Sequence, residues 1–377
     1  MLIKNLKKQK TMSKFIISGG GTGGHIFPAI AIANAIKRKQ KDADILFVGA
    51  EGKMEMEKIP AAGFKIIGLP VRGLQRKITL ENISVAVKLF LSMIKAKKIL
   101  KDFKPDIAIG VGGFASGPLL KQAQKLHIPT LIQEQNSYAG VTNKLLAKNA
   151  DKICVAYENM ERFFPKDKII ITGNPVRQDL LKDNEVKKEE GFKYFNIQGN
   201  KKTILILGGS LGALTINESI HQALDIFVEK DLQIIWQTGK SYYPIAKKLI
   251  HDYKDKGIII TDFITRMDLA YSVANVVISR AGASTVSELG LLHKPVIFVP
   301  SPNVAEDHQT KNAMALIDKN AAMMIEDKKA REELVDAAIT LINDEYRMNL
   351  YTQNIAAMGI KNSADTIAEE VFKLIKE

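Results

Sequence analysis

Phe15-Ile16-Ile17-Ser18 runs straight into Gly19-Gly20-Gly21-Thr22-Gly23-Gly24, and Ile204-Leu205-Ile206-Leu207 runs into Gly208-Gly209-Ser210-Leu211-Gly212-Ala213. An apolar, β-branched run that empties into glycines ahead of a helical pattern is the opening of an open parallel sheet. Ligands of such sheets bind at the carboxyl ends of the strands. Two such openings predict two successive sheets, and a ligand cleft between them follows. The rest of the chain agrees, because short β-branched runs alternate with helical patterns almost without break. The first half reads as strands over 15–18, 45–49, 65–69, 107–111, 130–133 and 153–156. The second reads as strands over 203–207, 233–237, 258–261, 276–279, 296–299 and 322–325. Pro28 is expected in the first turn of the first crossover helix, where its missing N–H costs nothing.

At 377 residues the chain exceeds the roughly 100–200 of one typical domain. The charged stretch Lys182 to Lys202, just after the turn residues Gly173-Asn174-Pro175, marks the boundary. The expected division is an N-terminal extension over 1–12, a Rossmann-like domain over 13–172, and a second over 173–358. A C-terminal helix over 359–377 is expected to pack back on the first domain. The fold class is α/β, two Rossmann-like domains with parallel sheets facing across a cleft.

The single cysteine, Cys154, excludes a disulfide framework and fits a reducing compartment. No apolar run reaches the ~18 residues of a membrane span, and Lys88 interrupts the longest candidate, Ile83 to Ile94. Residues 1–11 carry lysines without the apolar core of a signal peptide, and Met12 offers a second start just before the first strand. The chain is expected to stay in the cytoplasm. Its net charge of +13 is concentrated. Residues 72–104 hold nine Lys/Arg against Glu81 and Asp102, and residues 1–11 add four lysines and no acid. Basic residues interleaved with Leu80, Ile83, Val87, Phe90, Leu91 and Ile94 suit an anionic membrane surface or, more blandly, an amphipathic helix with a solvated basic face. No nucleic-acid reading motif accompanies them, so no nucleic acid is expected as a partner.

Glycines at a helix N-terminus let backbone N–H groups approach an anion, and the helix dipole favours negative charge there. Gly208-Gly209-Ser210 and Ser279-Arg280-Ala281-Gly282-Ala283-Ser284-Thr285 are candidate sites of this kind, the latter for a diphosphate. Glu288 falls about one turn into the second helix, where its carboxylate could accept from a ribose diol. Thr285-x-x-Glu288 also reads as a capping box, in which the carboxylate merely caps its own helix. Gly19, Gly21 and Gly24 match G-x-G-x-x-G, with Glu51 after the second strand, so a nicotinamide or flavin oxidoreductase is a rival reading. Thr22, His25 and the second glycine loop speak against it. Asp42-Ala43-Asp44 resembles the D-x-D of metal-dependent sugar transferases but precedes a strand instead of ending one. The six histidines (25, 127, 221, 251, 293, 308) show no ligand spacing. No metal or cofactor is expected.

Seven motifs then occur in one order: Gly20-Gly21-Thr22-Gly23-Gly24-His25, Gly112-Gly113-Phe114, Glu134-Gln135-Asn136, Gly173-Asn174-Pro175-Val176-Arg177, Gly208-Gly209-Ser210, Arg280 through Glu288, and His308-Gln309. Together they resemble the MurG family of N-acetylglucosaminyltransferases of peptidoglycan synthesis over essentially residues 13–377. The resemblance implies a GT-B fold and inverting transfer of GlcNAc from UDP-GlcNAc to the 4-hydroxyl of lipid I, giving lipid II and UDP. It also implies a peripheral enzyme on the cytoplasmic face of the cell membrane. By position, Thr22, Gly23 and Gly24 would line phosphates and Asn136 would touch the transferred sugar. Arg177 and Ser210 would contact the nucleotide, and the Ile264 backbone the uracil. Ala283, Ser284, Thr285, Val286, Ser287 and Glu288 would hold pyrophosphate and ribose, and Gln309 would read GlcNAc hydroxyls. His308 departs from the paired glutamines of some family members, and residues 1–11 have no counterpart.

Inverting transfer needs a general base at the acceptor hydroxyl. His25 is the first choice, because the positive end of its helix disfavours imidazolium; Glu134 is the second. Other readings stay open: another GT-B UDP-sugar transferase acting on a lipid acceptor, a UDP-sugar epimerase, or a UDP-sugar-binding subunit without activity.

Overall fold

The computed structural model describes residues 12–72, 81–176, 180, 184–209, 212–253 and 255–376. Thirteen strands form among them, and every pairing between them is parallel. In chain order the first seven are β1 (Lys14–Ser18), β2 (Asp44–Ala50), β3 (Lys65–Leu69), β4 (Ile107–Gly110), β5 (Thr130–Glu134), β6 (Lys152–Val155) and β7 (Ile169–Ile171). They make one sheet of order β3-β2-β1-β4-β5-β6-β7. The other six are β8 (Thr203–Leu207), β9 (Gln233–Gln237), β10 (Ile258–Thr261), β11 (Val276–Ser279), β12 (Val296–Phe298) and β13 (Met323–Met324). Their order is β10-β9-β8-β11-β12-β13. Both orders reverse direction once, between β1 and β4 and between β8 and β11. A crevice opens at the carboxyl ends of the strands at such a reversal, so these two places are where each sheet can seat a ligand.

The first sheet is buried on both faces, which explains its unbroken apolar strands. Alternation sorts the side chains: Phe15 and Ile17 of β1 face one helical layer, while Ile16 faces the other. The Phe15 face is closed by the helices Gly23–Lys39 and Ser363–Lys376. From the latter, Ile367, Ala368 and Val371 are fully buried in that core. Phe372 meets Phe15 edge-on at 5.6 Å, and Arg38 pairs with Asp365 at 2.8 Å. The chain divides into two compact units. One holds the described residues up to Gln135, Ala139–Pro175 and the C-terminal helix from Asn362; the other holds Asn136–Tyr138 and Val176–Lys361. In the second unit, Ile204, Ile206, Ile234, Trp236, Val276 and Ile278 share one core with the helices Leu214–His221 and Ala330–Asn343.

Three local expectations change. The first crossover helix begins at Gly23, so Pro28 lies in its second turn, because the glycine loop turns helical earlier than the proline suggests. β7 was not anticipated, being only three isoleucines at the sheet edge. The charged stretch after residue 182 contains the helix Asn184–Phe195. It has almost no apolar periodicity because it docks by close approach: a Cβ at Gly191 would lie 2.6 Å from Val273 Cγ1.

Candidate active site

In the first unit the loops after β1 and β4 meet at the reversal point. Gly112 and Gly113 have φ of +94° and +88°, and a Cβ on Gly113 would collide with the Gly20 carbonyl. A Cβ on Gly112 would sit 2.9 Å from His25 Nε2. Gly112 and Gly113 are therefore demanded by this packing and by their positive φ. Thr22 is the N-cap of the helix Gly23–Lys39, and its carbonyl accepts from His25 N at 3.1 Å and Ile26 N at 3.2 Å. The N–H groups of Gly23 and Gly24, the first two of the helix, have no intrahelical acceptor. They are the groups that an anion at this helix end would meet. His25 Nδ1 lies 3.0 Å from the Gly20 carbonyl and 3.3 Å from Thr22 Oγ1. A carbonyl only accepts, so Nδ1 carries the proton and Nε2 is the basic nitrogen.

Glu134 closes β5 and is 2% exposed. Its Oε2 accepts from Asn143 Nδ2 at 2.8 Å and from Gly140 N at 3.0 Å, which anchors the turn into the helix Val141–Ala147. Asn174 is a buried clamp in the same unit, accepting from Gln133 Nε2 at 3.0 Å and donating to the Gln135 carbonyl at 2.9 Å.

In the second unit the helix Ala283–Leu291 begins at the end of the β11 loop, with Gly282 as its N-cap. The proposed capping box is thereby corrected: Thr285 lies inside the helix, so Thr285-x-x-Glu288 does not cap it. Ala283, Ser284 and Thr285 present N–H groups without intrahelical acceptors. Ser284 Oγ is buried without a hydrogen-bond partner, a polar atom that a phosphate oxygen would satisfy. Ala283 and Val286 bury their side chains, so only their backbone can serve a ligand; Ser287 is half-buried. Glu288 Oε2 accepts from the hydroxyl of Tyr271 at 3.0 Å, and Tyr271 is fully buried. The Arg280 guanidinium donates to the carbonyls of Val299 and Pro300 and to Asp327, which braces the loop.

Gln309, in the helix His308–Ile317, accepts at Oε1 from Ser301 N at 2.8 Å, which leaves its amide NH2 as the group for a sugar hydroxyl. Asn136 Oδ1 accepts from Asn312 Nδ2 at 3.1 Å. Ile264 is buried, so only its backbone could read a base. Arg177 and Ser210 lie outside the described residues.

Several competing readings lose their geometry. Glu51 pairs with Lys95 at 2.8 Å instead of awaiting a ribose. Asp42 and Asp44 lie at the amino end of β2, opposite the glycine loops. Among the described residues no cluster of His, Cys, Asp and Glu could hold a metal. Burial pushes the Cys154 thiol up to about 12, so it is inert at neutral pH. Sequence reasoning missed Glu55, Tyr271 and Asn312. Glu55 reaches Gly21, Tyr271 reaches Glu288 and Asn312 reaches Asn136, across 34, 17 and 176 residues, and no local pattern signals such contacts.

Two Rossmann-like units, each with a glycine loop at the reversal of its parallel sheet, define the GT-B class. Residues 15–155 match the glycosyltransferase family 28 N-terminal domain and residues 203–371 its C-terminal domain. The chain is 59% identical to the UDP-N-acetylglucosamine--N-acetylmuramyl-(pentapeptide) pyrophosphoryl-undecaprenol N-acetylglucosamine transferase of Parabacteroides distasonis, covering 96% of this chain and 98% of that protein. The transferase of the same name from Phocaeicola vulgatus is 58% identical over 96% of each chain. The crystal structure of Acinetobacter baumannii MurG superposes with a TM-score of 0.76 at 27% identity, covering 96% of this chain and 99% of that one. The chain belongs to glycosyltransferase family 28 and is an N-acetylglucosaminyltransferase of the MurG type.

Proposed function

We propose that the chain transfers GlcNAc from UDP-GlcNAc to the 4-hydroxyl of the muramoyl sugar of lipid I, with inversion, giving lipid II and UDP. Near-full-length identity to transferases named for that acceptor carries the reading. The residues supply a consistent division of labour. In the second unit the first-turn N–H groups of Ala283, Ser284 and Thr285 and the Ser284 hydroxyl hold the diphosphate, and Glu288 accepts from the ribose. Arg177, Ser210 and the Ile264 backbone are assigned to the nucleotide; Gln309 and Asn136 are assigned to the GlcNAc. In the first unit, Thr22 and the N–H groups of Gly23 and Gly24 take phosphate.

His25 Nε2 removes the proton of the acceptor hydroxyl as its oxygen bonds to the anomeric carbon. The bond from that carbon to the diphosphate breaks, and UDP leaves with the electron pair. Negative charge developing on UDP is met by the dipole and N–H groups of the helix Ala283–Leu291. The reaction as proposed draws on no metal and no cofactor, and chelation by EDTA should leave turnover unchanged. His25 is preferred to Glu134, whose carboxylate is engaged in its own loop.

No helix among the described residues is long and apolar enough to cross a membrane. The helix Glu81–Phe103 exposes Val87, Leu89, Phe90, Leu91 and Ile94, with Lys97, Lys98 and Lys101 exposed beyond them. A basic helix with a wet apolar face fits peripheral attachment to the anionic cytoplasmic face of the cell membrane, where the lipid acceptor resides. The test of function is incubation with UDP-GlcNAc and a lipid I analogue. UDP and a lipid-linked disaccharide should appear together. UDP release with a different lipid acceptor only would assign the chain to another GT-B transferase.

A further inference from the structure

Glu55 is an acid with no exposed surface, directly beneath the first glycine loop. Its Oε1 accepts from Ala50 N at 3.0 Å and its Oε2 from Gly21 N at 2.9 Å. One N–H to each oxygen suits the ionised form, which only accepts. The surroundings are cut to fit it. A Cβ at Gly20 would collide with the carboxylate, and one at Gly49 would lie 2.6 Å from Glu55 Cγ.

The Gly21 N–H and the Gly20 carbonyl are the two ends of one peptide group. The carbonyl end accepts from His25 Nδ1 at 3.0 Å. Glu55 therefore reaches the imidazole through a single peptide plane.

We propose that Glu55 is a positioning residue for the general base, acting on His25 through the Gly20–Gly21 peptide. The carboxylate polarises the peptide, which makes the Gly20 carbonyl a stronger acceptor. The stronger acceptor holds the proton on Nδ1, keeps Nε2 as the basic nitrogen, and stabilises the imidazolium formed when Nε2 takes the acceptor's proton. The arrangement does what the buried carboxylate of a hydrolase triad does for its histidine, with one peptide interposed. The inference rests on the assignment of His25 as the base.

The test is the pH dependence of kcat in the full chain, at saturating UDP-GlcNAc and lipid I analogue, for the wild type, Glu55→Gln and His25→Ala. His25→Ala should lose most turnover together with the ascending limb. If it keeps both, the assignment of the base fails, and this inference with it. Glu55→Gln should lower the plateau roughly tenfold and shift the ascending limb to lower pH, because a less stabilised imidazolium means a weaker base. A merely structural role would change the amount of active enzyme or the KM and leave the limb in place, which overturns the proposal. Should Glu55→Gln not fold, imidazole 15N spectra of the wild type decide, with His25 assigned by its loss in His25→Ala. The Nδ1–H tautomer is expected below saturation with proton, and an Nε2–H tautomer overturns the proposal.

Discussion

Glu288→Ala removes the carboxylate that is proposed to accept from the ribose and that also receives the Tyr271 hydroxyl at 3.0 Å. The two roles separate by assay, one in UDP affinity and the other in unfolding. A hydrogen bond to a charged group contributes about 1.5–3 kcal/mol, so the Kd for UDP should rise about 10- to 150-fold. Stability should fall as well, because the Tyr271 hydroxyl, in a residue 1% exposed, loses its hydrogen bond to Glu288 at a cost of about 1–3 kcal/mol. No loss of helix capping is expected, since Gly282 and not Thr285 is the N-cap. Adding Tyr271→Phe removes the hydroxyl that donates to Glu288 and should restore part of the stability while leaving UDP binding weak. Calorimetric titration of UDP and urea unfolding of both single variants and the double variant measure the two effects. Unchanged UDP affinity in Glu288→Ala would refute the ribose assignment. Affinity that recovers with stability in the double variant would show that the single variant had weakened binding through misfolding.

Three further outcomes follow from the same geometry. Replacing Lys88 of the helix Glu81–Phe103 by glutamine, together with Arg76 and Lys77, which lie outside the described residues, should weaken binding to anionic vesicles by roughly 1 kcal/mol per charge, less at high salt, while a short-chain soluble acceptor turns over normally; full vesicle binding at low salt would make the helix an ordinary solvated face. Burial, reinforced by Lys188, pushes Lys294 down to about 8. The unfolded chain then binds the extra proton between about pH 8 and 10.4, so stability should rise with pH across that window, by at most ~3 kcal/mol, and urea unfolding of Lys294→Met should lack that rise. Ile367→Ala, fully buried in the C-terminal helix, should destabilise the first unit by about 2–5 kcal/mol, and a loss below 1 kcal/mol would mean that this helix does not complete the core.

Both parallel sheets and both glycine loops were legible because each rests on a local signal, a strand of apolar residues followed by glycine. The elements that carried no such signal were missed for physical reasons. β7 is three residues on a sheet edge, and the helix Asn184–Phe195 docks through Gly191 without an apolar stripe. The capping box misled because the helix starts two residues before Thr285. Motif residues such as His25 and Glu288 were identifiable, but the residues that orient them were not. Glu55 and Tyr271 look like an ordinary surface acid and an ordinary core aromatic until the fold brings them to Gly21 and Glu288.

The central chemical claim is a single displacement, with a base at the acceptor hydroxyl and UDP leaving from the opposite face. The anomeric configuration of the disaccharide tests it most directly, because one displacement inverts the centre and two restore it. Proton NMR of the product made from α-linked UDP-GlcNAc and a lipid I analogue should show a β-linked GlcNAc. An α-linked product would contradict the account, since it would require a covalent intermediate or attack on the same face.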